Sequence, residues 1–166
     1  MKSNFWDYAY LMIIAALVLC LDQGSKLFVR STIQPGDIWM PVVTLSPYVN
    51  FIHSANTGMA LGILQNYNGL FIALSEIACI AIVLLYPSLS RRWDGLLLGL
   101  GLGFLLGGAA GNLIDRIFLG YVTDIFLVNL FPVFNLADLS IFLGAVLIII
   151  SQFRAGPQRK DFSQSV

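Results

Sequence analysis

The stretch VFNLADLSIFLGAVLIII, residues 133–150, decides how the chain is read. From Leu136 onward it is apolar enough to cross a membrane. Yet it opens with Asn135 and, one turn later, carries Asp138. An unpartnered carboxylate at the edge of hydrocarbon is costly, so it needs a reason. Helix-start chemistry offers one, because the Asn-Leu-Ala-Asp run suits an N-terminus and the macrodipole favours an acid in the first turn.

The rest of the chain agrees with a membrane setting. It has 166 residues, 58% apolar and 11% charged, with a mean hydropathy of +0.83. Soluble domains carry about 25% charged residues. Nine basic and nine acidic residues leave no net charge, which argues against a nucleic-acid surface. Cys20 and Cys79 both lie in apolar runs, so neither a disulfide framework nor a zinc site is expected. Leu19 before Cys20 is too bulky for a signal-peptide cleavage site and Asp7 interrupts the basic start, so the first apolar segment reads as a retained anchor.

About 20 apolar helical residues cross a bilayer. Four spans fit, at about 8–28, 69–86, 95–113 and 136–153, within one membrane domain covering residues 1–156. A polar tail, 157–166, is expected to be disordered and cytoplasmic. Lys2, Arg91, Arg92, Arg154, Arg159 and Lys160 fall on one side of this arrangement, which the positive-inside rule assigns to the cytoplasm together with both termini. Trp6, Tyr8, Tyr10, Tyr86 and Trp93 are expected as interfacial anchors. Two loops, about 29–68 and 117–135, lie on the outer side. Trp39 to Leu45 and Tyr48 to Ser54 predict a strand pair resting on the membrane surface, and Tyr121 to Leu127 a further strand. The expected fold is an α-helical integral membrane protein with four transmembrane helices and a small outer β-structure.

Gly99, Gly103, Gly107 and Gly111 recur every four residues in the third span. That spacing is a packing stripe that lets helices approach closely, and no chemistry is assigned to it.

Topology brings polar residues of several spans to the outer boundary. Asp22 and Lys26 end span 1, Asn112, Asp115 and Arg116 end span 3, Asn135 and Asp138 begin span 4, and Asp124 lies in the second loop. Asp22 with Lys26, and Asp115 with Arg116, read as structural ion pairs. Asp124 and Asp138 have no basic neighbour in sequence and are candidates for a shared-proton pair. Two carboxyls about 3 Å apart do not both ionise easily, so one serves as base and the other as acid. Such a pair hydrolyses a peptide with neither metal nor acyl-enzyme. The single histidine, His53, falls in a predicted strand and is expected at the surface.

Five blocks carry a resemblance. Asp22-Gln23-Gly24-Ser25-Lys26, Asn56-Thr57-Gly58-Met59-Ala60-Leu61, the run from Gly107 to Arg116, Val122-Thr123-Asp124 and Phe134-Asn135-Leu136-Ala137-Asp138 resemble, in order, the signature blocks of the lipoprotein signal peptidases (signal peptidase II). The likeness extends from about Tyr8 to Phe153. It implies a cofactor-independent aspartyl protease of the bacterial cytoplasmic membrane, which removes signal peptides from diacylglyceryl-modified prolipoproteins. It implies Asp124 and Asp138 as catalytic residues. Asp22, Lys26, Asn56, Gly58, Asn112, Asp115, Arg116 and Asn135 are implied as substrate-binding or supporting residues. The implied partners are lipidated prolipoprotein, membrane lipid and globomycin-type inhibitors, and the chain is expected to work as a monomer. Ser54 and Ala55 stand where the family often has an arginine, and Leu61 replaces a common phenylalanine; both departures bear on loop 1 and on substrate preference.

Two other readings compete. Glu76, in the middle of span 2, would suit a proton-coupled transporter. Its acid is solitary, however, and a hydrogen bond to a neighbouring helix is the simpler role. A scaffold subunit would use the glycine stripe as its partner face, but leaves the outer carboxylates unexplained.

Overall fold

The computed structural model describes residues 5–41, 44, 48–58, 67–90, 95–129 and 131–154. The expected tail, Leu61, Trp93 and the basic residues Lys2, Arg91, Arg92, Arg159 and Lys160 lie outside the described residues. The elements run α1 (Phe5–Thr32), β1 (Ile38–Trp39), β2 (Val49–Asn56), α2 (Asn68–Leu89), α3 (Gly95–Phe118), β3 (Val122–Val128) and α4 (Leu136–Arg154). All four helices are long and apolar enough to span a membrane. α1 and α3 outrun their expected spans by several residues. Their polar ends stay helical because tertiary partners satisfy the charged side chains there.

α3 is the central helix, packed on α1, α2 and α4. The glycine stripe explains why. A methyl group at Gly103 would lie 2.7 Å from Ile14, and one at Gly107 would lie 2.6 Å from the Ala15 carbonyl oxygen, so the stripe seats α1. On the opposite side Gly101 and Gly108 admit α4, whose own Gly144 meets the Gly101 carbonyl. The packing role expected of the stripe is therefore observed. Tyr86 differs from expectation: it is buried in the core beside Leu11, Leu98 and Leu102 and stacks edge-on against Tyr8 at 5.7 Å.

The strands form one antiparallel sheet in the order β1-β2-β3 at one end of the bundle. Of the strand expected over Trp39 to Leu45, the described residues form only Ile38–Trp39, since Pro41 has no N–H to donate to a ladder, and Val42, Val43 and Leu45 lie outside the described residues. Between Phe51 and Ser54 the β2–β3 register slips by one residue. Such a bulge re-aims side chains, and here Ser54 comes opposite Asp124. His53, expected at the surface, is buried: its Nδ1 lies 2.8 Å from the Ile33 carbonyl, which ties the bulge to the end of α1. A chain of rings, Phe28, Trp39, Phe51, Phe126 and Phe134, continues from α1 across the sheet to the loop before α4, with centroids 5.4 to 6.2 Å apart. Two residues past the end of α3, Gly120 has a φ of 81° that lets the chain turn straight into β3.

Candidate active site

The start of α4 is built as a reciprocal cap. Asn135 Oδ1 accepts the Asp138 N–H at 3.0 Å, while Asp138 Oδ2 accepts the Asn135 N–H at 3.2 Å. This is the capping-box arrangement, with asparagine and aspartate in place of serine and glutamate. The helix-start role read from the sequence is therefore present. It also uses only part of each side chain. Asp138 Oδ1 accepts from Asn112 Nδ2 at 2.8 Å, and Asn135 Nδ2 donates to Asp124 Oδ1 at 2.8 Å. Asn135 thus bonds both carboxylates, Asp124 through its side-chain amide and Asp138 through its backbone N–H.

Asp124 comes from β3 and is 2% exposed. Its second oxygen accepts from Asn56 Nδ2 at 2.9 Å, and Asn56 Oδ1 in turn receives the Gly58 N–H at 3.0 Å. Burial is the main cause that pushes the Asp124 carboxyl up to about 6; nearby Asp138 adds to it, and the amide hydrogen bonds work against it. Among the described residues neither Asp124 nor Asp138 makes an ion pair.

Behind this pair lies a sealed network. Lys26, with no exposed surface, spends its three donors on Asp22 at 2.8 Å, Asn112 Oδ1 at 2.9 Å and Asp115 at 3.2 Å. Asp22 accepts the Ala137 N–H at 2.9 Å, a second hold on the first turn of α4. Asp115 accepts the Thr123 N–H at 3.0 Å and so fixes the residue next to Asp124. Asn112 passes the connection from Lys26 to Asp138. The expected Asp115–Arg116 pair is not formed. Adjacent helical residues point about 100° apart, and Asp115 turns instead to Lys26 and Arg30. Arg116 lies 5.0 Å over the Phe71 ring, with 3.5 Å contacts to the Gly58 and Asn112 carbonyls.

The ten residues singled out from the sequence thus meet at one place, in two layers. Asn56, Gly58, Asn112, Arg116, Asp124 and Asp138 line a cavity of about 790 Å³ between α2 and α4. Asp22, Lys26, Asp115 and Asn135 support it from behind. The cavity is polar at the sheet end and continues along the membrane span past Ala78, Ile82, Leu105 and Ile141. Three further residues belong to the network. Gln23 bonds Asp115 at 3.1 Å and the Gly111 carbonyl at 3.0 Å, Arg30 bonds Thr123 Oγ1 at 3.0 Å, and Asn68 bonds the Arg116 carbonyl at 3.1 Å. Arg30 could have been found from its i, i+4 spacing to Lys26. Gln23 and Asn68 gave no such signal.

Known proteins resemble this chain throughout. The family described as signal peptidase (SPase) II matches residues 14–154. A lipoprotein signal peptidase of Moorella thermoacetica is 39% identical over 137 residues, covering 82% of this chain and 88% of that protein. One of Brevibacillus brevis is 33% identical over 157 residues, covering 93% and 99%. A bacterial membrane enzyme solved by the in meso method superposes with a TM-score of 0.79 at 30% identity, covering 94% of this chain and 93% of its own. With its spans, sheet and polar blocks all accounted for, the chain belongs to the signal peptidase II family, whose members are membrane-embedded proteases.

Proposed function

We propose that the chain is an intramembrane aspartyl endopeptidase that removes the signal peptide from diacylglyceryl-modified prolipoproteins, with Asp124 and Asp138 as the acid/base pair and water as nucleophile. The observation that carries this reading is the cavity wall. Among the described residues Asp124 and Asp138 are its only carboxylates, they come from different elements, and Asn135 bonds both, one through its side-chain amide and the other through its backbone N–H. The names of the relatives supply the lipoprotein substrate class.

The chemistry follows from the surroundings. Asp124 is the member whose surroundings favour the proton, since burial raises it. It donates to the scissile carbonyl oxygen and takes that proton back when the tetrahedral intermediate collapses, while the other aspartate, protonated by the attacking water, gives its proton to the leaving amine. Asp138, at a helix N-terminus and fed by N–H donors, is the base that takes a proton from the attacking water. Arg116 and the Gly58 backbone border the place where the substrate chain lies, and Asn112 and Asn135 hold the carboxylates in register. The apolar stretch of the cavity between α2 and α4 suits a signal helix entering sideways from lipid, with its acyl chains left in the bilayer. The termini then face the cytoplasm of a bacterial inner membrane and the site faces the outer leaflet. Globomycin-type inhibitors are expected to occupy the same cavity.

The test is cleavage of a lipidated precursor in detergent, with an unlipidated precursor as control. Asp124→Asn and Asp138→Asn are each expected to lose at least about 10³-fold in rate while remaining folded. Appreciable turnover by either variant overturns the pair.

A further inference from the structure

The α2 wall of the cavity holds a polar group that the proposed mechanism does not use. Ser75 lines the cavity beside Leu74 and Ala78 of the same helix, and it is the only hydroxyl among the described lining residues. Serines within helices commonly bond a carbonyl of the preceding turn. Ser25, Ser31, Ser140 and Ser151 do so here, at 2.7 to 2.9 Å. Ser75 does not: it is half-buried, and among the described residues its hydroxyl makes no hydrogen bond. An unpaired hydroxyl at hydrocarbon depth is costly, which calls for a partner from outside the chain. The adjacent Glu76 lies outside the cavity and is exposed, and among the described residues the hydrogen bond to a neighbouring helix expected for it does not form.

The depth of Ser75 follows from the register of the helices. Asn68, at the start of α2, bonds the Arg116 carbonyl near the end of α3 at 3.1 Å, so these two residues stand level. From there α2 runs away from the sheet, while α3 runs toward it. Ser75, seven residues after Asn68, is therefore level with Ala109, seven before Arg116, and both line the cavity. Asn112, whose amide holds Asp138, lies three residues nearer the sheet than Ala109. Ser75 thus stands about 4–5 Å deeper than Asn112, roughly one helical turn. Leu105 and Ala109 of α3 and Ile141 of α4, which line the same stretch, are apolar.

We propose that Ser75 is a substrate-binding residue whose hydroxyl donates to an unpaired backbone carbonyl of the signal peptide, within about three residues before the scissile bond. This rests on the proposed cleavage of a signal helix in this cavity. A helix leaves its last four carbonyls without partners, and hydrocarbon offers no water to satisfy them. The signal helix points its C-terminal end at the carboxylates, so the residues before the scissile bond lie deeper, at the level of Ser75. The Asn112 amide is already given to Asp138, and Arg116 stands nearer the sheet, over Phe71. A hydroxyl bonds the carbonyl of any residue type, so this contact reads backbone conformation. An unwound helix end presents a free carbonyl there, and an uninterrupted membrane helix does not.

Cleavage kinetics of a lipidated precursor in detergent test this. Ser75→Ala is expected to raise KM about tenfold with kcat little changed, the loss of one hydrogen bond made equally in ground and transition states. Ser75→Thr, which keeps the hydroxyl, is expected to recover most of that loss. Ser88→Ala, at an exposed position of the same helix, is expected to match the parent. A second arm alters the substrate: an ester replaces, one at a time, each of the three peptide bonds before the scissile one, which weakens one carbonyl acceptor. One of these esters is expected to raise KM for the parent but not further for Ser75→Ala. An unchanged KM in Ser75→Ala, an equal rise in Ser88→Ala, or ester effects identical in both proteins each overturns the proposal. In all of these the parent still cleaves the precursor and Asp124→Asn does not, so they are distinct from a failure of the catalytic pair.

Discussion

Two groups of acids stand side by side in this molecule and differ in what surrounds them. Asp22 and Asp115 are neutralised: Lys26 bonds both, Arg30 reaches Asp115, and no member lines the cavity. Asp124 and Asp138 receive their hydrogen bonds from asparagine amides and a backbone N–H, and both face the cavity. An amide satisfies a carboxylate's geometry without supplying a full positive charge. The first group therefore holds helices together, and the second keeps acids able to exchange protons. The two are joined through Asn112, which takes a hydrogen bond from Lys26 and gives one to Asp138.

The comparison breaks most severely at Lys26. Lys26→Met leaves Asp22 and Asp115 buried without their shared cation, and is expected to lower stability by about 3–5 kcal/mol. Thermal unfolding in detergent measures this. If Lys26→Met unfolds no more readily than Asp124→Asn, the two groups are not different in kind.

A smaller effect separates them by pH. The Asp124 carboxyl is raised in the folded state from 3.8 to about 6. Between those values the folded protein binds more protons than the unfolded chain at this group, so stability falls as pH rises through that window. The full difference corresponds to about 3 kcal/mol. Asp124→Asn should flatten that slope in unfolding measured from pH 4 to 7. The same group sets a limb of kcat/KM near pH 6, falling toward alkaline pH with Asp124 as the acid. A limb of the opposite sign exchanges the roles of the two aspartates.

The smallest expected effect sharpens the link between cap and catalysis. Asn135→Ser keeps a capping oxygen but removes the amide that bonds Asp124. Stability is expected to drop by about 1 kcal/mol and cleavage about tenfold, the worth of one hydrogen bond to a charged group. A variant stable and fully active would show that the bridge between the carboxylates is incidental.

Much of this was legible in the chain before folding. Spans appear because hydrocarbon demands long apolar helices, and the four-residue glycine spacing is fixed by helical pitch. Asn135 and Asp138 could be placed on one helix start because i, i+3 geometry is local. Asp22 with Lys26 is local for the same reason, and the structure keeps that pair. Asp115 with Arg116 shows the limit, since adjacency in sequence is not adjacency on a helix. His53 and Tyr86 show it again, as each has an amphipathic ring whose burial depends on what packs against it.

By itself, then, the sequence determined the membrane class, the four spans, the packing stripe and the identity of the polar residues, because each rests on composition or on periodicity within one element. Only the tertiary structure decided which acid meets which cation, that Asn135 joins Asp124 to Asp138, that Gln23, Arg30 and Asn68 belong to the network, and that Glu76 faces away from it. Those outcomes depend on residues 11 to 115 positions apart coming within 3.5 Å. Such meetings are set by how helices and sheet pack, not by any spacing along the chain.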